Sequence, residues 1–287
     1  MLQVRAAQQS DRALLNHLLH SNAKMHTHLD WHSPQSWLGK RPFHIVTNGD
    51  AAAGALAAPP DPPDTSWIRL AAISNGFTLD QVFDPIWPPT LSALRELKVN
   101  RIACMLLDEW FVPQLKKWGF DQINDVIVLS RPLRAVIRAA ALQTALPSIK
   151  GLRIRPAKNS YINAIFKVDA AFVAPWHYSK DTLMQAMSQV EFSSVAELNN
   201  EIVGYQISSG GKQGGHLARL AVNPKFQGQG VGRMLMMNIA EHFDRLGAPY
   251  ISVNTQHDNI ASLKLYRAFG FLQTGDHYPV WQMEVGG

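Results

Sequence analysis

The sequence predicts a mixed α/β protein, of the α+β kind, built from two copies of one fold. Four short segments recur in the same order about 150 positions apart, and both halves show a similar succession of strand and helix patterns. The chain has 287 residues, so each half is long enough to bury a core of its own.

The recurring segments are weak matches taken singly, but their common order and spacing indicate a duplication. Gly54 falls opposite Gly204 within the second of them. The paired segments are LQVRAA (2–7) with LRIRPA (152–157), AGALAA (53–58) with VGYQIS (203–208), WIRLAA (67–72) with LARLAV (217–222), and WGF (118–120) with FGF (269–271).

The second copy shows the element order β-α-α-β-β-β-α-β-α-β. Asn199 and Asn200 form a hairpin signal between two alternating strands. A buried helix face is predicted from apolar residues three or four positions apart, Leu235, Ile239, Phe243 and Leu246. The other predicted strands are 152–157, 192–198, 202–209, 216–222, 250–254 and 277–283, and the other predicted helices are 159–172, 180–187 and 261–269.

The domain boundaries follow from the repeat and from proline positions. We expect a first domain at residues 1–131, a linker at 132–150 and a second domain at 151–287. Pro132 is expected to stop the last strand of the first copy, and Pro147 precedes the first strand of the second.

Composition limits the class of protein. Hydrophobic residues make up 46% and charged residues 17% of the chain, as in ordinary globular proteins. No apolar run approaches the roughly 20 residues of a membrane-spanning helix, and the N-terminus lacks a signal-peptide core. The single Cys104 suits a reducing cytoplasm. The net charge of +5 comes without a dense basic run, so we expect a cytoplasmic protein that binds neither membrane nor nucleic acid.

The most informative segment is the glycine-rich run at residues 220–233, LAVNPKFQGQGVGR. It predicts a strand, a loop with three glycines and the start of a helix. The first-turn amides of a helix lack internal partners, and the helix dipole favours an anion there. The segment therefore indicates a pyrophosphate site, with Arg233 adding a positive charge beside it.

Two motifs resemble those of a known family. Gln227-x-x-Gly230-x-Gly232 after Leu-Ala-Val-Asn-Pro is similar to the acetyl-CoA signature of the GNAT superfamily of N-acetyltransferases. Residues 259–271, NIASLKLYRAFGF, are similar to the family's second signature, and the resemblance covers residues 151–285. It implies two tandem GNAT folds, each a mixed, mostly antiparallel β-sheet flanked by helices.

The resemblance implies a role for each motif residue. Backbone groups of Leu220, Ala221 and Val222 are expected to pair with the pantetheine arm of acetyl-CoA. Asn259 is expected to hydrogen-bond the pantetheine or acetyl region, and Tyr266 to donate a proton to the departing thiolate. The remaining expected cofactor-binding residues are Gln227, Gly228, Gln229, Gly230, Val231, Gly232, Arg233 and Ser262.

A general base is harder to assign, because the attacking amine must be neutral. Family members that act on ribosomal-protein N-termini often carry a Glu at the position of Asn254. Asn cannot accept the proton, but it could orient a water; His216 and His257 are alternative bases, or polar surface histidines. An α-amine, with a pKa near 8, needs less help than a lysine amine near 10.4. The aromatic run at 176–178 suits an apolar or cationic acceptor, or packing between domains.

The first copy lacks these features. Leu115, Phe111 and Asp108 stand at the positions of Tyr266, Ser262 and Asn259, and residues 77–82 contain no glycine. We interpret this copy as a degenerate GNAT domain. Some of its tryptophans are expected to pack where a cofactor would have lain or between domains. Six of the eight tryptophans lie in this copy: Trp31, Trp37, Trp67, Trp87, Trp110 and Trp118.

One string of the first copy stands apart from this interpretation. His26, His28, Asp30 and His32 alternate, so an extended segment would point them one way. Such a set can bind zinc, but a polar loop is the commoner case, and we expect no metal site.

The sequence therefore predicts an acetyl-CoA-dependent N-acetyltransferase that moves an acetyl group to a primary amine by direct attack. A small-molecule amine is favoured over a protein N-terminus, because an inert first copy could wall off the acceptor cleft. The alternatives are a non-catalytic acetyl-CoA-binding or scaffold protein, and a metal-dependent enzyme built on the histidines of the first half.

Overall fold

The computed structural model of the chain describes residues 1–21, 23–143 and 149–286. Its strands are β1 (Leu2–Ala6), β2 (Lys24–Thr27), β3 (Phe43–Asn48), β4 (Ala51–Ala57), β5 (Thr65–Trp67), β6 (Leu70–Ile73), β7 (Arg101–Met105), β8 (Asp121–Pro132), β9 (Arg153–Pro156), β10 (Phe192–Leu198), β11 (Glu201–Gly211), β12 (Gly214–Val222), β13 (Tyr250–Gln256) and β14 (Leu272–Glu284). Its helices are α1 (Arg12–His20), α2 (Leu79–Glu96), α3 (Val112–Lys117), α4 (Leu133–Gln143), α5 (Ile162–Asp169), α6 (Lys180–Gln189), α7 (Val231–Leu246) and α8 (Ile260–Ala268). No helix within these ranges combines the length and apolar character needed to cross a bilayer.

The chain divides into two compact units. The first comprises Met1–Asn124 together with Tyr278–Gly287. Its main sheet is antiparallel, in the order β1-β3-β4-β6-β2. Adjacent residues of β3 point to opposite faces of this sheet. Ile45 packs in the core with α1, and Val46 packs in the core with α2.

The second unit comprises Asp125–His277. Strands β9 to β12 form an antiparallel run, β13 lies parallel to β12, and β8 lies antiparallel to β13. Helices α4, α7 and α8 bury their apolar residues against one face of this sheet. The other face carries α5, whose last residue, Asp169, contacts Tyr205 of β11.

The two units share local structural features at corresponding positions. A Cβ added to Gly54 would overlap Val82 of α2, and one added to Gly204 would lie 2.9 Å from Cγ1 of Val231 of α7. Irregular pairing occurs in both first hairpins, between Val46 and Thr47 and between Ala196 and Glu197. In each unit, a glycine allows the helix that follows the central strands to approach the sheet closely.

The elements expected in the second copy are present, and Asn199 and Asn200 have φ angles of 50° and 63°, as a tight hairpin turn requires. The domain boundaries differ from the expected 1–131 and 151–287. Residues 126–132 of β8 pair with β13 in the second unit, and residues 280–284 of β14 pair with β7 in the first. Alternation along a strand marks its faces but not its partner, which is why the sequence did not show this.

The expected linker at 132–150 is largely helix. Pro132 ends β8 as predicted, and α4 follows at once. Leu133, Val136 and Ala140 of α4 are buried in the α7 core, so the helix belongs to the second unit. Pro147, expected to precede the new strand, lies outside the described residues.

Candidate active site

The N-terminus of α7 is open where the glycine-rich loop enters it. Its N-cap, Gly230, has a φ of 91° and provides no side chain to cap the helix. The first backbone bond runs from the Met234 amide to the Gly230 carbonyl. The amides of the first turn therefore point out of the helix end, where the dipole favours an anion. This is the geometry of an anion-binding helix terminus.

The loop ahead of α7 is braced by its own side chains. Gln227 Nε2 donates to the Val222 carbonyl at 3.0 Å, and Gln229 Nε2 donates to the Lys225 carbonyl at 2.8 Å. Asn223 Oδ1 accepts from the Lys225 amide at 3.1 Å. The two glutamines thus fix the shape of the loop, which leaves ligand binding to backbone amides.

The three glycines serve different purposes. Gly228 and Gly230 have φ angles of 74° and 91°, a backbone region that residues with a Cβ rarely adopt. Gly232 lies against α8, because a Cβ there would sit 3.3 Å from Leu265 Cδ2. Two glycines therefore shape the loop, and the third allows α7 and α8 to pack closely.

Directly before this loop, β12 separates from β13. Their parallel pairing covers only Gly215–Leu217 with Ile251–Val253, although β12 continues to Val222. The Leu220–Val222 segment pairs with β11 on one side. On its other side the described structure pairs it with no strand. This backbone edge is suited to bind an extended ligand arm by sheet-like hydrogen bonds.

Tyr266 lies in the α8 core with 4% of its surface exposed. Burial raises the pKa of its hydroxyl to about 12, and a hydrogen bond from Ser262, one turn earlier, opposes that rise. The phenol is therefore protonated at neutral pH. A free thiol titrates near 8.5, so complete proton transfer from Tyr266 to a thiolate would be uphill. Its suited role is to donate a hydrogen bond to the thiolate.

Asn259 is the N-cap of α8. Its Oδ1 accepts from the Ser262 amide at 3.1 Å, and its Nδ2 donates to Gln256 Oε1 at 3.3 Å. The helix itself therefore begins at Ile260, directly after its cap. The cap is a structural use of a residue that the resemblance assigns to cofactor binding, and that assignment stays a prediction.

The two suggested proton-handling residues lie on one face of the sheet. His216 Nδ1 lies 3.0 Å from Ser252 Oγ, which also donates to the Gly215 carbonyl at 3.4 Å. Asn254 follows Ser252 by two residues, and strand alternation puts both side chains on the same face. Because Ser252 lies opposite His216 in the parallel register, Asn254 lies one step closer to the open edge at Leu220.

Part of the chain that includes this site matches the model of a known family. Residues 163–271 match the model described as the Acetyltransferase (GNAT) family. These residues form a GNAT acetyltransferase domain.

The chain also shows local sequence similarity to a curated protein. A stretch of 56 residues is 43% identical to N-alpha-acetyltransferase RimI of Mycobacterium tuberculosis (strain ATCC 25618 / H37Rv). It covers 20% of this chain and 34% of that protein, so the chain matches about a third of its relative's length.

Solved structures resemble the chain over its whole length. A tandem GNAT protein from the clavulanic acid biosynthesis pathway (without AcCoA) aligns with 100% of this chain and 99% of its own, at 14% identity and a TM-score of 0.63. A GCN5-related N-acetyltransferase from Kribbella flavida aligns with 99% of this chain and 71% of its own, at 10% identity and a TM-score of 0.70. The predicted fold class, two tandem GNAT folds, is confirmed.

The first unit fills the places that stay open in the GNAT domain. β2 pairs with β6 from Leu70 to Ile73, the edge that corresponds to the end of β12. At the start of α2, Thr78 Oγ1 accepts from the Gln81 amide at 3.3 Å, and Gln81 Oε1 accepts from the Thr78 amide at 2.9 Å. A strand thus covers the backbone edge, and a capping box occupies the helix end. Both features favour the interpretation of a degenerate copy.

Three tryptophans of the first unit, Trp87, Trp110 and Trp118, lie among its own aromatic residues. Trp87 stacks on Trp118 with ring centroids 4.1 Å apart, and Trp118 meets Phe111 edge-on at 5.6 Å. Phe111, at the position of Ser262, is fully buried in the α2 core. The covering of the cofactor edge comes from β2 rather than from these rings.

The alternating string in the first unit does not converge on one point. His26 lies at 3.5 Å from Cys104 Sγ, whereas His28 stacks on Trp67. Asp30 pairs with Arg69 at 2.8 Å and with His32 at 3.2 Å. Within the described ranges, no group of three or more His, Cys, Asp or Glu side chains is arranged to hold a metal ion.

Sequence reasoning missed a buried ionic cluster in the GNAT domain. Arg219 of β12 makes a bidentate pair with Asp169, with Nε at 2.6 Å from Oδ1 and Nη2 at 3.0 Å from Oδ2. Tyr205 donates to Asp169 and accepts from Arg219 Nε at 2.9 Å. Losing one charge of such a buried pair alone typically costs about 3–5 kcal/mol. The available signal was an arginine at a buried alternation position within HLARLAV.

The same arginine holds the aromatic loop at residues 172–178. Its Nη2 donates to the Trp176 carbonyl at 2.8 Å, and its guanidinium lies 3.6 Å from the ring centre of Tyr178 and 4.0 Å from that of Phe172. One face of the Tyr178 ring is therefore already in contact with a cation of the protein itself. This rules out that face as a binding surface for a cationic acceptor.

Proposed function

We propose that the C-terminal GNAT domain binds acetyl-CoA and transfers its acetyl group to a primary amine by direct attack. One observation carries the proposal: β12 separates from β13 directly before the uncapped N-terminus of α7. A backbone edge for an extended arm and an anion site for phosphates thus follow each other within one segment, and this combination matches the chemistry of coenzyme A.

The residues present fit this cosubstrate. The amides from Gly228 to Arg233 would hold the pyrophosphate at the helix end. The Leu220–Val222 edge would pair with the pantetheine arm. Bound acetyl-CoA supplies an activated thioester. Backbone amides of that edge would donate hydrogen bonds to its carbonyl oxygen and stabilise the negative charge that develops there.

Tyr266 would assist the departure of the thiolate. Its hydroxyl is protonated because burial raises its pKa, and Ser262 orients the phenolic oxygen from the turn before it. A hydrogen bond donated as charge builds up on sulfur lowers the barrier without requiring complete proton transfer.

His216 is the better supported base. Since the Ser252 hydroxyl donates to the Gly215 carbonyl, Nδ1 of His216 donates to Ser252, and its Nε2 carries the lone pair. Burial lowers the pKa of His216, so the ring is neutral at pH 7. Four residues separate it from Leu220, about 13 Å along the strand. The amine proton would therefore travel through water, and Asn254, on the same sheet face, would orient that water.

The acceptor is a primary amine, and the sequence argument favours a small molecule. The name of the RimI relative, an N-alpha-acetyltransferase, also makes an α-amine a sensible candidate. Neither His216 nor Asn254 strongly favours deprotonation of a lysine side chain. This also favours an acceptor whose amine has a lower pKa. The single cysteine supports a cytoplasmic location.

A panel of small amines and short peptides, incubated with acetyl-CoA and followed by release of free thiol, tests the function. The expected result is amine-dependent thiol release by the wild-type chain and none by Gly230→Glu. Tight binding of acetyl-CoA without release for any amine would favour the alternative, a non-catalytic acetyl-CoA-binding protein.

A further inference from the structure

We propose that Arg219 binds an oxygen of the acceptor through its Nη1 group, which makes the acceptor an α-amino carbonyl compound. This substrate class rests on the proposed acetyl transfer in the GNAT domain. The recognised oxygen belongs to a carbonyl or carboxylate attached to the carbon that bears the amine.

The proposal begins with the hydrogen bonds of the guanidinium. Nε donates to Asp169 and Tyr205, and Nη2 donates to Asp169 and the Trp176 carbonyl. Nη1, which carries two further N–H groups, makes no hydrogen bond to any described residue. Nη1 is not among the fully buried nitrogen and oxygen atoms that lack a hydrogen-bond partner. It therefore belongs to the exposed part of the Arg219 side chain, which is 8% of that side chain's surface.

The surroundings of Arg219 fix the direction of that free nitrogen. Phe172 and Tyr178 contact the guanidinium with their rings, and Asp169 holds one edge of its plane. The group cannot rotate without breaking the bidentate pair. Its Nη1 edge is therefore a preorganised donor, of the kind that recognises planar oxygen groups.

Its place in the fold connects this donor to the reaction. Arg219 directly precedes Leu220, whose backbone lies at the start of the open edge of β12. Strand alternation turns Leu220 towards α7 and Arg219 towards α5 and the aromatic loop. An acceptor on the loop side of the sheet would thus place its amine near the edge and an adjacent oxygen near Nη1.

Charge also favours an oxygen ligand. Asp169 neutralises Arg219, so the cluster attracts a neutral carbonyl or a carboxylate through directed N–H groups rather than through excess charge. The Tyr178 face is occupied by the arginine, so a cationic group has no reason to bind there. The polar end of the acceptor is recognised at the arginine, and its amine remains free to point at the thioester.

Three matched series test the proposal, built on glycine, leucine and phenylalanine. Each contains the α-amino amide, the free amino acid and the amine that lacks the carbonyl group: methylamine, 3-methylbutylamine and 2-phenylethylamine. Calorimetry on the full chain loaded with coenzyme A measures binding without chemistry, and thiol release from acetyl-CoA measures transfer.

In at least one series, the wild type should prefer the amide or the acid over its carbonyl-free amine by on the order of tenfold or more, as a charge-assisted hydrogen bond provides. Preference for the amide identifies a carbonyl as the ligand, and preference for the acid identifies a carboxylate. Arg219→Lys keeps a charge for Asp169 but lacks Nη1, so the ratio should fall towards one.

Tyr205→Phe is the matched control, because it removes another member of the cluster and leaves Nη1 in place. The wild-type ratio should persist in this variant. If Arg219→Lys does not fold, the double variant Arg219→Gln with Asp169→Asn removes both charges together and should show the same loss of ratio.

Equal affinity for amides, acids and carbonyl-free amines in all three series would overturn the proposal, as would loss of the ratio in Tyr205→Phe to the same extent as in Arg219→Lys. The proposed function fails by a different result, since a binding preference without any thiol release refutes acetyl transfer but not oxygen recognition.

Discussion

The imidazole of His216 and the hydroxyl of Ser252 meet across the parallel pair β12 and β13, with Nδ1 and Oγ 3.0 Å apart. The Ser252 hydroxyl donates a hydrogen bond to the Gly215 carbonyl at 3.4 Å, so we infer that His216 Nδ1 donates to Ser252 and that Nε2 carries the lone pair. A neutral imidazole oriented by a second group is the arrangement expected of a general base.

Replacing His216 by Gln should lower kcat/KM by on the order of 10²-fold, the usual contribution of a positioned base. Burial lowers the pKa of His216 in the folded protein, so the base is neutral above that value and is lost as the pH falls through it. The wild-type profile should therefore show an acidic limb below pH 6.5, in addition to the titration of the amine itself.

The pH dependence of kcat/KM for both proteins provides the check, with His257→Gln as control because that side chain is exposed. A variant that keeps the acidic limb would show that the limb belongs to another group.

Tyr266→Phe should lower kcat by on the order of 10²-fold while leaving acetyl-CoA affinity nearly unchanged. The ring stays in the α8 core, so packing is preserved and only the hydroxyl is lost. Single-turnover rates and calorimetry separate the two effects, and Ser262→Ala should produce a smaller loss because it only orients the phenol. Unchanged turnover in Tyr266→Phe would assign the thiolate to water or another donor.

Gly230→Glu should abolish acetyl-CoA binding. The new residue would need a φ near 91° and would place a carboxylate at the helix end proposed to hold pyrophosphate. Gly49→Glu is the control, since Gly49 also has a positive φ, 60°, with open space around it, but lies in the first unit. Calorimetry should give about one site per chain, and two equivalent sites would contradict a degenerate first unit.

The sequence was informative wherever the signal is local. The glycines ahead of α7, the Asn199 hairpin and the apolar face of α7 are set by neighbouring residues, and the structure has each of them. The candidate site was predictable to the same extent, because the loop and the second motif are short contiguous segments.

Other features depend on residues far apart in the chain. Asp169 and Arg219 are 50 residues apart, and neither shows in sequence that it neutralises the other. The string from His26 looked polar and exposed, yet His26 belongs to β2 and is buried at the edge of β6. Strand partners and buried charge pairs are set by tertiary packing, which periodicity does not encode.

The buried His26 makes the first unit sensitive to acid. Burial lowers its pKa to about 4, from 6.5 in an unfolded chain. Between these values the unfolded state binds the extra proton, so stability is present above pH 6.5 and is lost as the pH falls towards 4. The shift corresponds to about 3 kcal/mol.

His26→Gln keeps a donor for the Ile68 carbonyl but cannot titrate, so its unfolding free energy should depend less on pH between 6.5 and 4. Urea unfolding at several pH values measures this, with the exposed His17→Gln as control. Equal slopes for wild type and His26→Gln would show that the histidine is not buried as described.

The packing of β8 and α4 within the second unit also predicts which fragment of the chain folds. A piece cut at residue 151 would lose β8, which pairs with β13 from residue 126 to 132, and α4, which buries Leu133 and Val136 in the α7 core. Each such side chain contributes about 1.5–3 kcal/mol, a large share of the roughly 5–15 kcal/mol that stabilises a domain. Residues 125–277 keep α4 and the part of β8 that pairs with β13. They should therefore unfold cooperatively and bind acetyl-CoA, whereas residues 151–287 should aggregate or unfold without a transition.

Circular dichroism melts and calorimetry on the two fragments provide the comparison. A soluble 151–287 fragment with a melt and an acetyl-CoA affinity equal to those of 125–277 would mean that β8 and α4 are dispensable to the GNAT domain.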